Sequence, residues 1–507
     1  MNQKDFDAFV KKLEIYANQN PGAYKFQVLL LAILGYFYIF AILALLMAML
    51  AMLVWLVIDS HRISTGAVKI AIVLLVLILI IARSLWVQLH PPQGIVVRPE
   101  KAKYLFQTIE KIREALQAPK THQVLLTNEF NAAVCQIPRL GIFGFPQNYL
   151  ILGLPLMQAL SPEQFRAVLA HEFGHLSGAH SKFGNWVYRV RRSWYQLMDS
   201  FDGDDGLTAK IFTIFFNWYA PFFGAYSFVL ARTNEYEADN YSAKIAGGKN
   251  LADALIALEV KHTVLEENFW PTLYKKADQT PKPPNSLFQE MQQTFQAKLE
   301  TEDLQKYLDQ AMKRETSSAD THPALKDRLA ALKQTSTLPD PLKQTAAQYF
   351  FGNALPDFAQ RLDKEWQQKV ITSWQERYEY AQTSQKSLAE LNQRSQTTHG
   401  LTLDESLQRA AWTEEFESTE VALSLYREVL AMYANEPSAH FAIGRILLSQ
   451  EQEQGIESLK KAMDVKADFT LPSCQLIYNF LMARGREKEA EPYYQRAVRY
   501  AEGLPNQ

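Results

Sequence analysis

His171, Glu172 and His175 fall within the pentad His171-Glu-Phe-Gly-His175, and their types and spacing suit a metal-activating centre. On a helix, residues four apart project from one face, so the two imidazoles converge while Glu172 lies beside them in the same turn. Two neutral imidazoles can hold a zinc ion, and a neighbouring carboxylate can take a proton from its bound water. Five residues also match by chance in long chains, so the reading depends on what surrounds them.

A zinc centre with two histidines needs a third protein ligand, which a carboxylate on a second helix commonly supplies. The stretch Ala231-Arg-Thr-Asn-Glu-Tyr-Glu-Ala-Asp239 offers Glu235 and Asp239 one helical turn apart on one face, with Arg232 a turn earlier. Met alone, these charges would read as a solvated helix face. Beside the pentad, Glu235 is the expected third ligand. Asp239 is expected to hydrogen-bond a ligating histidine from outside, with Arg232 in support.

The elements that must position these groups are legible. Ser161-Pro162-Glu163 is a helix start, with serine at the cap, proline in the first helical position and an acid in the first turn. The helix it opens runs through Phe165, Val168 and Leu169 into the pentad, which puts the histidines on a helix. Upstream, 101–116 reads as a helix, and 123–126 and 148–152 as short strands, with Asn131-Ala-Ala-Val between them.

Residues 26–58 form 33 positions without a charge, and a second apolar run covers about 67–89. About 20 apolar residues suffice to span a bilayer, so the two runs predict a transmembrane hairpin rather than a signal peptide. Lys69 and Arg83 near the ends of the second run can snorkel, and Trp86 suits the boundary. A hairpin leaves the N-terminus and everything after His90 on one side. Lys4, Lys11, Lys12, Lys25, Arg98, Lys101 and Lys103 lie on that side, against Arg62 in the turn. The bias predicts a cytoplasmic bulk domain on the inner face of the cell membrane.

Trp186, Arg189, Arg191, Arg192, Trp194 and Tyr195 could lie along anionic headgroups, or equally could supply core aromatics to a solvated helix. After an acidic loop at 202–205, residues 211–230 are uncharged and rich in phenylalanine; an embedded or membrane-apposed helix is preferred over a full third span.

The 507 residues carry a net charge of -2, which excludes a global basic surface for nucleic acid, and no nucleic-acid partner is expected. Cys135 and Cys474 are far apart and outside any Cys-x-x-Cys, so neither a disulfide framework nor a thiolate metal site is supported.

These motifs together resemble the HtpX-like and CAAX prenyl endopeptidase-type membrane zinc metallopeptidases, a gluzincin family. The matching features are Leu169-Ala170 before the pentad, Arg232-x-x-Glu-Tyr-x-Ala-Asp239, Asn131-Ala132, Tyr149-Leu-Ile-Leu-Gly153-Leu154, and Thr321-His322-Pro323 followed by Asp327-Arg328. The resemblance covers about residues 95–335. It implies His171, His175 and Glu235 as ligands of one zinc ion and Glu172 as general base. It also implies His322 as a donor to the tetrahedral oxyanion and Asn131 beside a substrate-binding edge strand. The chain departs from the prenyl endopeptidases in lacking their many spans, so prenylated substrates are not implied.

Past a proline-rich loop at 279–285, residues 286–315 and 335–400 read as polar helices. From Leu401 an internal repeat appears: Ala422-x3-Tyr426-x2-Val429, Gly455-x3-Leu459-x2-Ala462 and Ala490-x3-Tyr494-x2-Ala497, at spacings of 33 and 35 residues. This resembles tetratricopeptide repeats, which present grooves for peptides or partner proteins.

The expected architecture is mainly α: a polar tail (1–25), a transmembrane hairpin (26–92), a zincin-type peptidase domain with a small β-sheet (93–335), a helical linker (336–400) and a TPR-like α-solenoid (401–507). The expected function is a membrane-anchored zinc endopeptidase acting on protein or peptide substrates in membrane or protein quality control. Lipid and a repeat-bound protein are its expected partners. The alternative is a chaperone or adaptor that keeps the fold for binding rather than cleavage; it leaves Glu172 without a role.

Overall fold

Length and apolar composition shape the first elements of the computed structural model, which describes residues 3–61, 63–85, 91–138, 146–199, 207–296, 301–316, 322–396 and 400–503. An amphipathic α1 (Gln3–Gln19) precedes α2 (Pro21–Ser60) and α3 (Thr65–Leu85). At 1.5 Å per residue, the 40 residues of α2 reach about 60 Å, twice the thickness of a bilayer's hydrocarbon core. Helices α2 and α3 have mean hydropathies of 2.9 and 2.8 over their most apolar windows. They leave Phe37, Trp55 and Leu79 more than half exposed, an arrangement that is stable where lipid rather than water covers the surface. Arg62, Trp86 and His90 lie outside the described residues.

The small sheet follows. Strand β1 (Ile95–Val96), helix α4 (Lys103–Ala115), β2 (Gln123–Thr127), β3 (Ala132–Pro138) and β4 (Pro146–Gly153) form the order β1-β2-β4-β3, with β2 and β4 parallel and the other pairs antiparallel. The Asn131-Ala-Ala-Val stretch therefore opens an edge strand of its own. Leu125, Leu126, Leu150 and Leu152 are buried along the two central strands.

Next come α5 (Leu154–Ala159), α6 (Pro162–Leu176), α7 (Gly178–Asp199) and α8 (Leu207–Ala246). Residues 211–230 and 232–239, read separately in the sequence, are thus one continuous helix. From Phe212 it is long and apolar enough to cross a membrane, as are α2 and α3. The headgroup reading of the stretch from Trp186 is corrected for its tryptophans. Trp194 is 1% exposed and stacks on Phe215 and Phe216, and Trp186 packs on Tyr36. Their large apolar area is buried between α2, α7 and α8. The acidic loop at 202–205 lies outside the described residues.

Helices α9 (Gly248–Val264), α10 (Trp270–Lys275), α11 (Leu287–Gln296), α12 (Thr301–Lys313) and α13 (Leu325–Leu332) complete the surroundings of α6. Ala167, Leu251, Leu255, Leu308, Leu325 and Leu329 share one core there. Helix α14 (Ala346–Phe351) packs on the same body: the Ala346 N–H donates to the Leu160 carbonyl at 2.8 Å, and Phe350 lies 5.6 Å from Phe165. Helix α15 (Leu355–Arg394) follows. One compact unit comprises residues 1–273 and 284–369, so part of the expected linker packs with the site-bearing domain; the other comprises 274–283 and 370–507.

The second unit contains α16 (Leu403–Phe416), α17 (Thr419–Met432), α18 (Pro437–Ser449), α19 (Gly455–Val465), α20 (Thr470–Met482) and α21 (Glu487–Ala501), each packed on its successor. The repeated small positions Ala422 and Ala490 are fully buried. A Cβ on Gly455 would lie 2.5 Å from the Gly444 carbonyl oxygen, so only glycine permits this approach of α18 to α19.

Candidate metal centre

Helix α6 starts where its sequence says it should. Ser161 Oγ accepts the Gln164 N–H at 3.1 Å and the Gln164 side chain accepts the Ser161 N–H at 2.8 Å, a reciprocal cap that fixes the helix start ten residues before His171. The pentad ends on the last turn, where Gly174 meets α8. A Cβ there would sit 3.0 Å from Ala238 Cα, so the two helices are as close as they can be at this point. One turn further along α8, Ser242 Oγ donates to the Ala167 carbonyl at 2.7 Å.

This crossing brings three donors together. His171 Nε2 and His175 Nε2 are 3.2 Å apart, His171 Nε2 and Glu235 Oε2 are 3.5 Å apart, and His175 Nε2 and Glu235 Oε1 are 3.3 Å apart. Bonds of about 2.0–2.1 Å to a tetrahedral zinc set its ligand atoms roughly 3.3 Å apart. The Glu235 distances run to its two different oxygens; with one donor atom taken from each residue, the three lie within 4.8 Å of one another, and the donor set of two imidazoles and a carboxylate suits the ion chemically. His171, Glu172 and His175 line a cleft of about 510 Å³.

The surroundings fix the tautomer that such a site needs. His171 Nδ1 lies 2.9 Å from Asp239 Oδ1; donating its N–H there leaves the Nε2 lone pair for a metal. Asp239 is 1% exposed and receives two further bonds from Arg328, at 2.6 Å to Oδ1 and 2.9 Å to Oδ2. Burial opposes a charge on His171, yet hydrogen bonds to Asp239 and Glu235 outweigh it and raise its pKa to about 9 before any metal binds.

Glu172 points to the sheet, where its Oε2 accepts the Val134 N–H at 3.1 Å. The Gly153 N–H donates to the Asn131 carbonyl, so odd-numbered residues of the edge strand face β4 and the backbone groups of Ala132, Val134 and Gln136 face outward. Asn131 lines the cleft at the start of this edge. His322 Nδ1 lies 2.7 Å from Glu235 Oε2, and that hydrogen bond raises its pKa against the opposing effect of burial. Thr316 steadies the turn after His322: its Oγ1 accepts the Ala324 N–H at 2.7 Å and donates to Asp327 at 2.6 Å. Thr321 lies outside the described residues.

Arg232 is where the expectation fails. It donates to Glu14, and its guanidinium lies 4.4 Å over the Phe228 ring, so it does not support the histidines. Three residues before Glu235, Arg232 stands only about 60° around the helix from it, but its long side chain leans to Glu14 and Phe228 instead of the histidines. The arginine at the site is Arg328, which the sequence motif contained without assigning it a partner. Two further features had weak signals: the outward Val134 amide, and the Leu251, Leu255 and Leu258 stripe on α9, whose spacing of four and three marks a single helix face along the cleft.

With this geometry in view, residues 99–336 match the family model described as Peptidase family M48, a stretch that takes in β2 to β4, α6, α8 and the donor set. Over that stretch the chain is similar to a peptidase family, and three of its described helices are long and apolar enough to cross a membrane. A solved structure of S. mikatae Ste24p is similar at 16% identity and a TM-score of 0.27, covering 60% of this chain and 66% of that one. The chain thus spans just under two thirds of that protein's length. No curated protein matches the chain.

Proposed function

We propose that the protein is a membrane-anchored zinc endopeptidase that cleaves extended segments of protein substrates. The observation that carries this reading is the convergence of His171, His175 and Glu235, one donor atom from each lying within 4.8 Å of the others, with Glu172 beside them. Zinc held by those three residues would supply an acidified water, with a pKa near about 7, and an electrophile for a carbonyl. Among the protein's groups, Glu172 would act as the base for the attacking water and would return the proton to the leaving amine. The outward N–H and C=O groups of Ala132 and Gln136, and the Val134 C=O, pair with the substrate backbone as an added strand. The leucine stripe of α9 then receives an apolar side chain. His322 gives one ring nitrogen to Glu235 and turns the other to the cleft, where a donor favours negative charge on the attacked carbonyl oxygen.

The helices of the second unit are read as TPR-like repeats that recruit substrates or partners, supported by the buried small residues at the repeated positions. A cytoplasmic placement, an inner-membrane location and a role in quality control rest on the lysine and arginine distribution and on the family resemblance. The decisive test is Glu172→Gln in detergent-solubilised protein. It should bind zinc as the wild type does and cleave casein at least 1,000-fold more slowly; equal cleavage by the two would refute the mechanism.

A further inference from the structure

The first 25 residues are polar enough to read as a tail, yet they pack along the helix that bears Glu235. Val10, Leu13 and Ala17 of α1 are buried in a core shared with α8. Phe9 lies edge-on to Phe222 and Tyr226, at 5.7 and 6.0 Å between ring centres. The Tyr24 hydroxyl donates to the Tyr226 carbonyl at 2.5 Å, and Lys25 Nζ lies 3.0 Å from Glu237 Oε1. Between these contacts, Arg232 donates to Glu14 and covers Phe228; Arg232 is 7% exposed.

On α8 these contacts fall at 222, 226, 228, 232 and 237, before and after Glu235. A carboxylate stands about 6 Å from its helix axis, so turning α8 by about 10° moves it roughly 1 Å, whereas a metal site tolerates about 0.2 Å. Downstream, the rotation is set by Ala238 against Gly174 and by Ser242 on Ala167. Upstream, the N-terminal segment shares that task with α2 and α7, to which Tyr219 and the Phe215–Phe216 stretch are fastened.

We infer that the N-terminal helix is a positioning element of the metal centre, and that the Glu14–Arg232 ion pair fixes the turn of α8 from which Glu235 projects. This rests on the reading of Glu235 as the third ligand. The ion pair is a half-buried clamp: Arg232 brings a charge into a site shielded from solvent, and the 30%-exposed Glu14 is an anionic partner that offsets it there. Anything that lifts α1 from α8 would loosen the metal site without touching a ligand.

The test uses the full-length chain in detergent and reads zinc affinity by chelator competition, together with the visible spectrum of the cobalt-substituted protein, which reports ligand geometry. Glu14→Gln should weaken zinc binding 10- to 100-fold, the range seen on loss of groups that support a ligand. It should also shift the cobalt spectrum and lower kcat for a short peptide with KM unchanged. The charge-reversed pair Glu14→Arg with Arg232→Glu should recover most of the affinity, which separates positioning from a general loss of fold. Wild-type zinc affinity and cobalt spectrum in Glu14→Gln would overturn the inference, as would a lowered melting temperature with unchanged zinc affinity. Glu235→Ala is measured alongside. If that variant keeps its zinc, the ligand reading itself fails; if it loses zinc while Glu14→Gln does not, only the positioning role fails.

Discussion

Gly174 and Ala238 meet where α6 crosses α8, so closely that a Cβ on Gly174 would lie 3.0 Å from Ala238 Cα. This contact explains a pairing of small residues within two otherwise chemical motifs: the variable position before His175 is glycine, and the position before Asp239 is alanine. Gly174→Ala must push Ala238 by a few tenths of an ångström, and Ala238→Leu must push much further. Overpacking of this kind costs about 1–3 kcal/mol, and here the displacement separates Glu235 from the histidines. Zinc affinity should fall in both variants and further in Ala238→Leu, as read by chelator competition. An affinity unchanged in Ala238→Leu would show that the crossing does not set the ligand spacing.

The same crossing shows what a sequence can and cannot convey here. His171, His175, Glu235 and Asp239 were legible because each pair sits within one helical turn and the chemistry of zinc asks for those types. The helix start at Ser161 was legible because capping is local. Arg328 meets Asp239 across 89 positions and Arg232 meets Glu14 across 218. No periodicity records such a meeting, so Arg232 was assigned to the histidines by proximity in sequence alone. The N-terminal segment misled for a related reason: its few apolar residues look unremarkable until α8 is beside them.

Arg328 and Asp239 make a two-bonded ion pair behind His171. Burial alone would disfavour the Arg328 charge, but the bonds to Asp239 outweigh it and keep the guanidinium protonated. Arg328→Met leaves a buried carboxylate without its main partner, a change that costs about 3–5 kcal/mol when a buried pair is broken from one side. Arg328→Lys keeps the charge and loses the two-pronged geometry. Zinc affinity should fall by about 10- to 100-fold in Arg328→Met and by less in Arg328→Lys. Equal affinities in both variants and the wild type would remove Arg328 from the support of the site.

Metal uptake should be coupled to pH through His171. Its pKa of about 9 before metal binding lies above the ordinary value of about 6.5. In zinc-stripped protein the charged ring adds stability that is fully present below about 6.5 and is lost as pH rises through about 9. A metal must displace that proton, so zinc binding at pH 7 should release about one proton from His171. Calorimetric titrations in buffers of different ionisation enthalpy measure this directly. In a control with Asp239→Asn, the ring loses the carboxylate that favours its charged form, and the release should shrink.

Gly444 and Gly455 let α18 and α19 approach too closely for any side chain. Gly455→Val would place carbon atoms where the Gly444 carbonyl and Leu448 now stand, so the two helices must separate and the buried Leu459 and Ala462 beside them lose their packing. If the repeats recruit substrates, the variant should raise KM for a protein substrate several-fold while leaving both constants for a short peptide near wild-type values. The peptide measurement reports the metal centre and the protein measurement reports the repeats, so the two readouts separate recruitment from chemistry. An unchanged KM for the protein substrate, in a variant whose circular dichroism shows the helices of the second unit disrupted, would mean that the repeats do not serve substrate capture.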